Sequence, residues 1–358
     1  MEKKKILATI YCPGQLSGPS VSTYSVMNSY LCGKYCFATI TISERLGSIP
    51  RVSVIKRLIK EIKNEDPDVI YISGLQLHGF YIVLAAKLAG YKKKTLLIVH
   101  GSACDNLVIS RIKHYFFKHI IEPFTVRNSQ ITYTVCKEMA NNPIVSRNCK
   151  RFGGVIHNAA PEINPDCFDR HVFREELNAN ESDVIAVFTG RIVADKGIQF
   201  LLESLIGIPK WIIVAIVGDG PDFDKYKNKA EELGLSNCFF LGRRNDVFSI
   251  LAGSDLFVFP SLHENLPNSV VEACAMGLPV IATDVGGNTE IVRNNQNGLI
   301  VPANDSVALH DAIIKLATSK EDRARMGKES RGIIQNEFTQ TVLYPKIEKL
   351  FDEIIETR

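Results

Sequence analysis

Val184-Ile-Ala-Val-Phe-Thr-Gly-Arg-Ile-Val-Ala-Asp-Lys-Gly197 opens with six consecutive apolar or β-branched residues and then switches to glycine and charge. A run with no polar alternation suits a strand covered on both faces, as in a parallel sheet between helices. Working outward, similar runs recur at 212–217, 238–241, 256–259, 280–283 and 299–301, and upstream at 6–11, 69–73, 95–99, 131–135 and 155–157. Helical patterns lie between them, for example at 51–64, 81–89, 225–233 and 270–276. Strand–helix alternation predicts a doubly wound α/β fold. At roughly 150 residues per domain, a chain of 358 residues favours two domains. The polar stretch 159–180 (Pro161, Glu162, Asn164, Pro165, Asp166) reads as a linker region. The expected organisation is two Rossmann-like parallel-sheet domains, 1–158 and 181–338, facing each other across a cleft. Residues 339–358 (Tyr344, Ile347, Leu350, Phe351, Ile354) read as an amphipathic C-terminal helix packing back on the N-terminal domain. Ligands are expected in the crevice at the carboxyl ends of the strands.

Composition excludes other classes. Hydrophobic residues make up 46% and charged residues 23%, an ordinary globular balance. No apolar run approaches the roughly 18 residues of a membrane span. Met1-Glu2-Lys3-Lys4-Lys5 is followed by too short an apolar stretch for an export signal, so a cytoplasmic location is expected. Nine scattered cysteines without a Cys-x-x-Cys pair read as free thiols in a reducing compartment, and no quartet has zinc spacing. The net charge of +3 hides an asymmetry: residues 1–156 carry 22 Lys and Arg against 9 Asp and Glu, residues 157–358 carry 20 against 30. A basic first half points to an anionic partner. With no nucleic-acid motif in view, that partner is a phosphorylated substrate or a membrane surface. Leu107-Val-Ile-Ser-Arg-Ile-Lys-His-Tyr-Phe-Phe-Lys-His-Ile-Ile-Glu-Pro-Phe124 interleaves large apolar side chains with Arg111, Lys113, His114, Lys118 and His119. If helical, it suits an anionic bilayer surface; the plainer alternative is a helix whose apolar stripe faces the core.

Four groups of residues could carry chemistry. Arg191 and Lys196 project from the short loop after the strand at 184–189, and two fixed cations suit a diphosphate. Glu264-Asn-Leu-Pro-Asn-Ser-Val-Val-Glu272 places two carboxylates after the strand at 256–259 and at the start of a helix. Carboxylates there can accept sugar hydroxyls, and helix amides favour phosphate. Ser269-x-x-Glu272 also fits a capping box, which would leave Glu272 a structural role. His100, after the strand at 95–99, can hydrogen-bond a sugar or accept a proton. Gly14 and Gly18 flank the loop after the first strand and could let backbone amides approach an anion. That loop lacks G-x-G-x-x-G and its acidic partner, which argues against a nicotinamide cofactor. Asp222-Phe-Asp224 mimics a D-x-D metal motif, but it opens a helix, where acidic residues complement the dipole.

Residues 184–337 resemble the family 4 retaining glycosyltransferases of GT-B fold. The match runs through Thr189-Gly-Arg-Ile-Val-Ala-Asp-Lys-Gly197, Val217-Gly-Asp-Gly-Pro221, Phe257-Val-Phe-Pro-Ser-Leu-His-Glu-Asn-Leu-Pro-Asn-Ser-Val-Val-Glu-Ala273, Gly277-Leu-Pro-Val-Ile-Ala-Thr-Asp-Val-Gly-Gly287 and Asn297-Gly-Leu-Ile-Val-Pro302. The first half is similar only in Pro67-Asp68-Val-Ile, His100-Gly101 and Val155-Ile-His-Asn158. The resemblance implies a GT-B enzyme that moves a hexose-type sugar from a UDP- or GDP-sugar to a hydroxyl, with no cofactor and no metal. It implies that Arg191 and Lys196 hold the diphosphate, that Glu272 binds the ribose hydroxyls, that Glu264 contacts the transferred sugar with backbone amides near Asn265–Asn268, and that Asn265, Leu266 and Ser269 are among the donor-binding residues. His100 would lie beside that sugar. Together with the basic first half, it implies a lipid-diphosphate-linked acceptor at the inner membrane face, in O-antigen, capsule or exopolysaccharide assembly. Two departures stand out. Gly14 and Gly18 are apart where family members often pair glycines, and Leu266-Pro267 replaces the usual phenylalanine-glycine. A sugar-nucleotide epimerase of the same fold and a non-catalytic sugar-nucleotide binder are the competing readings. The paired glutamates argue against the first, and the intact Arg, Lys and Glu set against the second.

Overall fold

The computed structural model describes residues 3–11, 18–42, 51–103 and 110–357. The chain forms two compact units, Met1–Ala159 with Gln340–Arg358, and Ala160–Thr339.

Unit 1 is built on six parallel strands: β1 (Lys5–Tyr11), β2 (Cys36–Ile42), β3 (Val69–Ser73), β4 (Thr95–Val99), β5 (Ile131–Thr134) and β6 (Phe152–Val155), in the order β2-β1-β3-β4-β5-β6. Every residue of β3 and β4 is buried, as their unbroken apolar runs require. The helix Gln340–Glu356 belongs to this unit. Its Phe351 packs edge-on to Tyr71 (5.3 Å) and Tyr35 (5.4 Å), and its Tyr344 hydroxyl lies 2.6 Å from Ser25 Oγ. Two strands depart from the sequence reading. β2 is an edge strand with alternating, half-exposed residues, so it carries no continuous apolar run. The last strand is Phe152–Val155 rather than 155–157. Its two glycines hide it, and the pairing with β5 shifts register there.

Unit 2 repeats the design with β7 (Val184–Thr189), β8 (Ile212–Val217), β9 (Cys238–Gly242), β10 (Leu256–Phe259), β11 (Val280–Thr283) and β12 (Gly298–Val301). The order is β12-β11-β10-β7-β8-β9, all parallel. Connections wind one way from β7 and the other way from β10, so the topological switch point lies between these two central strands. The stretch 159–180 is not a free linker. It contains the helix Arg170–Glu176, whose Phe173 is buried and whose Arg174 is only 2% exposed. Arg174 Nη1 donates to Asp255 Oδ2 (2.9 Å), and Nη2 donates to the carbonyls of Asn180 and Asp183 (2.7 Å each). A buried guanidinium paired through both of its terminal nitrogens looks like a surface charge in a sequence, which is why the segment reads as a linker. Among the described residues no helix is long and apolar enough to cross a membrane. The seven described cysteines are free thiols.

Candidate functional site

The loops after β7, β10 and β11 interlock at the switch point of unit 2. Residues Ala194–Lys196 make one 3-10 turn that ends in Gly197 at φ +67°. A Cβ on Gly197 would sit 1.9 Å from the Pro260 carbonyl oxygen, so only glycine lets the β7 loop close on the β10 loop. The Leu262 N–H then donates to the Asp195 carbonyl at 2.8 Å. From the other side, a Cβ on Gly286 (φ +55°) would meet the Glu264 carbonyl at 1.8 Å, and the Gly287 N–H donates to Asn265 O at 2.7 Å. Glu264 is thus gripped by its neighbours through its own backbone.

This grip brings two of the four charged candidates into contact. Lys196 Nζ donates to Glu264 Oε1, which also accepts from Ser261 Oγ at 2.7 Å. Lys196 also stands 5.3 Å from the centroid of the Phe259 ring. Glu264 is buried, so this pairing offsets the cost of its charge. Arg191, on the same loop as Lys196, is exposed and makes no ion pair among the described residues.

Glu272 lies in the helix Asn268–Ala275, which follows β10. The capping-box alternative is not what forms: the N-cap is Pro267, which makes no side-chain capping bond. Glu272 therefore keeps its carboxylate for other partners, and desolvation pushes its carboxyl up to about 7. Leu266 is buried, so this position can offer a ligand only its backbone, while Asn265 and Ser269 are half-buried. First-turn helix amides and a guanidinium without an ion pair attract phosphate oxygens, and the two carboxylates are acceptors for hydroxyls. Asp222 precedes the helix Phe223–Glu232 and Asp224 lies in its first turn, an ordinary dipole complement.

Residues 169–332 match the model of the family described as Glycosyl transferases group 1. Over these residues the chain is similar to the group 1 glycosyltransferases. The matched residues contain the whole of the interlocked site just described. Two curated relatives extend the likeness beyond it. An uncharacterized glycosyltransferase of Methanocaldococcus jannaschii is 29% identical over 266 residues, covering 72% of this chain and 68% of that protein. A UDP-Gal:alpha-D-GlcNAc-diphosphoundecaprenol alpha-1,3-galactosyltransferase of Escherichia coli is 26% identical over 335 residues, covering 89% and 84%. Among solved structures, Anabaena HepE in complex with UDP-glucose matches with a TM-score of 0.80 at 18% identity, covering 97% of this chain and 99% of that one. At that identity the likeness carries the fold, which is GT-B.

In unit 1, His100 directly follows β4. Its Nε2 is buried without a hydrogen-bond partner, and burial lowers its pKa to about 3. A ring that stays neutral at physiological pH can hydrogen-bond a ligand but is a poor proton acceptor. The sequence reading missed His78, which follows β3. Its ring stacks on Tyr11 (centroids 4.7 Å apart, planes 6° apart), its Nε2 lies 2.6 Å from the Ser73 carbonyl, and burial lowers its pKa to about 4. The only signal for it in the sequence is its position after a strand, four residues past Gly74. Gly18 is the exposed first residue of the helix Gly18–Met27, and Gly14 lies outside the described residues.

The basic, apolar segment of unit 1 forms the helix Arg111–Phe116, a π turn Phe117–Ile121 and the helix Glu122–Asn128; residues 107–109 lie outside the described set. Ile112, Tyr115, Phe116 and Ile120 are between 46% and 72% exposed. Their spacing puts them on one helical face, so the apolar stripe of this segment faces solvent rather than the core.

Proposed function

We propose that the chain is a retaining, metal-independent glycosyltransferase. It moves a hexose-type sugar from a UDP- or GDP-sugar to a hydroxyl of a lipid-diphosphate-linked saccharide, in cell-surface polysaccharide biosynthesis. The observation that carries this reading is the Lys196–Glu264 pair at the switch point of unit 2, with Arg191 on the same loop and without an ion pair among the described residues, and Glu272 in the helix that follows β10. The relative from Escherichia coli is named for an undecaprenol-diphosphate acceptor, and HepE was solved with UDP-glucose, which supports the donor and acceptor classes.

In this reading Lys196 exchanges Glu264 for the donor diphosphate and, with Arg191, stabilises the negative charge that grows on it as it leaves. Glu264 is released to the hydroxyls of the transferred sugar. Glu272 takes the ribose hydroxyls, and the first-turn amides beside Ser269 face phosphate. The bond from the sugar's anomeric carbon to the diphosphate breaks, and the bond to the acceptor oxygen forms on the same face. The acceptor proton passes to the departing diphosphate oxygen, so no protein base is needed, and the neutral His100 hydrogen-bonds instead. The outward apolar stripe, flanked by Arg111, Lys113 and Lys118, fits an anionic inner membrane face where such an acceptor resides.

A thermal-shift screen against UDP-glucose, UDP-galactose, UDP-N-acetylglucosamine and GDP-mannose tests the donor site. A donor at 100 times its Kd adds about 2.7 kcal/mol of stability. One sugar nucleotide should raise the Tm of the wild type and leave an Arg191→Ala/Lys196→Ala variant unmoved. A shift of equal size in that variant removes the proposed diphosphate site.

A further inference from the structure

We propose that Glu122 is a positioning residue that fixes the loop 100–103 and, through it, the His100 ring. This rests on the part given to His100 above. Beyond Val99 the chain leaves β4, and two hydrogen bonds to one side chain hold the loop in place. Ser102 Oγ donates to Glu122 Oε2 at 2.6 Å, and the Ala103 N–H donates to Glu122 Oε1 at 2.6 Å. Each carboxylate oxygen takes one donor from adjacent residues, so the loop is fixed in both position and orientation. Glu122 is 0% exposed, and Ser102 and Ala103 are buried with it. A carboxylate removed from water is costly unless its oxygens receive such bonds, and a shape-matched apolar residue would fill the space without that cost.

The helix is also built to aim this side chain. The Glu122 N–H donates to the Phe117 carbonyl, five residues back, which closes the π turn. Pro123 comes next and has no N–H to continue the ordinary ladder. The extra residue in the turn changes the phase of the helix. Before it, the large side chains of 112–120 face outward; after it, Glu122 faces inward. His100 Nε2 is buried and unpartnered, so what it can bond depends on where the loop holds the ring.

The test is kinetic epistasis. Nucleotide release is followed from whichever member of the four-donor panel gives the largest thermal shift. Glu122→Ala, Glu122→Gln and Ser102→Ala are each made in the wild type and in a His100→Ala background. In the wild type, Glu122→Ala should lower kcat at least tenfold with donor KM changed less than threefold, and Glu122→Gln, which keeps one acceptor oxygen, should recover part of the loss. In the His100→Ala background the same changes should cost less than twofold more, because they act through a ring no longer there. Ser102→Ala removes one of the two bonds and should show the same pattern in milder form, so the comparison survives if Glu122→Ala fails to fold. Losses that multiply across the two backgrounds overturn the proposal while leaving His100 its role. A His100→Ala enzyme with wild-type kcat overturns both.

Discussion

Lys196 and Glu264 satisfy one another, so removing either changes more than one charge. Lys196→Ala leaves Glu264 with Ser261 as its one side-chain partner among the described residues and takes a cation from the leaving group. Transfer at saturating donor should fall at least tenfold, about 1.4 kcal/mol of lost transition-state stabilisation, measured by nucleotide release. A wild-type rate would take Lys196 out of the chemistry. Glu272 gives a pH signature. Its folded-state pKa lies near 7, above the ordinary carboxylate range, so the folded chain holds a proton there that the unfolded chain has released. Its contribution to stability is complete below the ordinary carboxylate pKa and is lost as pH rises through 7, on the order of 3 kcal/mol in all. Denaturant melts of Glu272→Gln at pH 5 and pH 8 should show a smaller difference between the two pH values than the wild type does. Ribose hydroxyls bond best to the ionised carboxylate, so donor binding should tighten from pH 6 to pH 8 and flatten in the same variant. These residues were legible in the sequence because each follows a strand directly or opens the next helix. Glu122 was not: it is embedded in a segment read for its basic and apolar residues, and its partners lie about twenty positions earlier.

At the scale of elements, the segment from Arg111 to Ile121 had two readings, and exposure separates them. No residue of the helix Arg111–Phe116 or of the π turn is buried, so the core-facing alternative does not hold. Replacing Arg111, Lys113 and Lys118 by glutamine should weaken binding to vesicles containing phosphatidylglycerol. At about 1 kcal/mol per basic residue, the loss should be roughly 100-fold at low salt, read by co-sedimentation. Equal binding by the triple variant would leave the stripe without a lipid partner. Most strands were legible to within a residue because buried parallel strands must be apolar throughout. The exceptions are informative. β2 lies at an edge and alternates, β6 contains two glycines, and the helix Arg170–Glu176 conceals a buried arginine behind a polar sequence. In each case neighbours elsewhere in the chain decide the burial, and a local window does not see them.

At the scale of the molecule, the chain completes unit 1 with residues from both sides of unit 2. Phe351 supplies the centre of an aromatic group with Tyr35, Phe37 and Tyr71. Phe351→Ala should cost about 3–5 kcal/mol and lower the melting transition of unit 1 by several degrees in calorimetry, leaving that of unit 2 in place. A single unshifted transition would mean that the helix Gln340–Glu356 adds little. The same arrangement sets a timetable for biosynthesis. The six strands of unit 1 emerge from the ribosome first, yet their aromatic floor stays bare until Phe351 has cleared the exit tunnel. At typical elongation rates the intervening 160–339 take on the order of ten to forty seconds to make. For that interval the nascent first half is a sticky, unfinished sheet and a natural client for a chaperone.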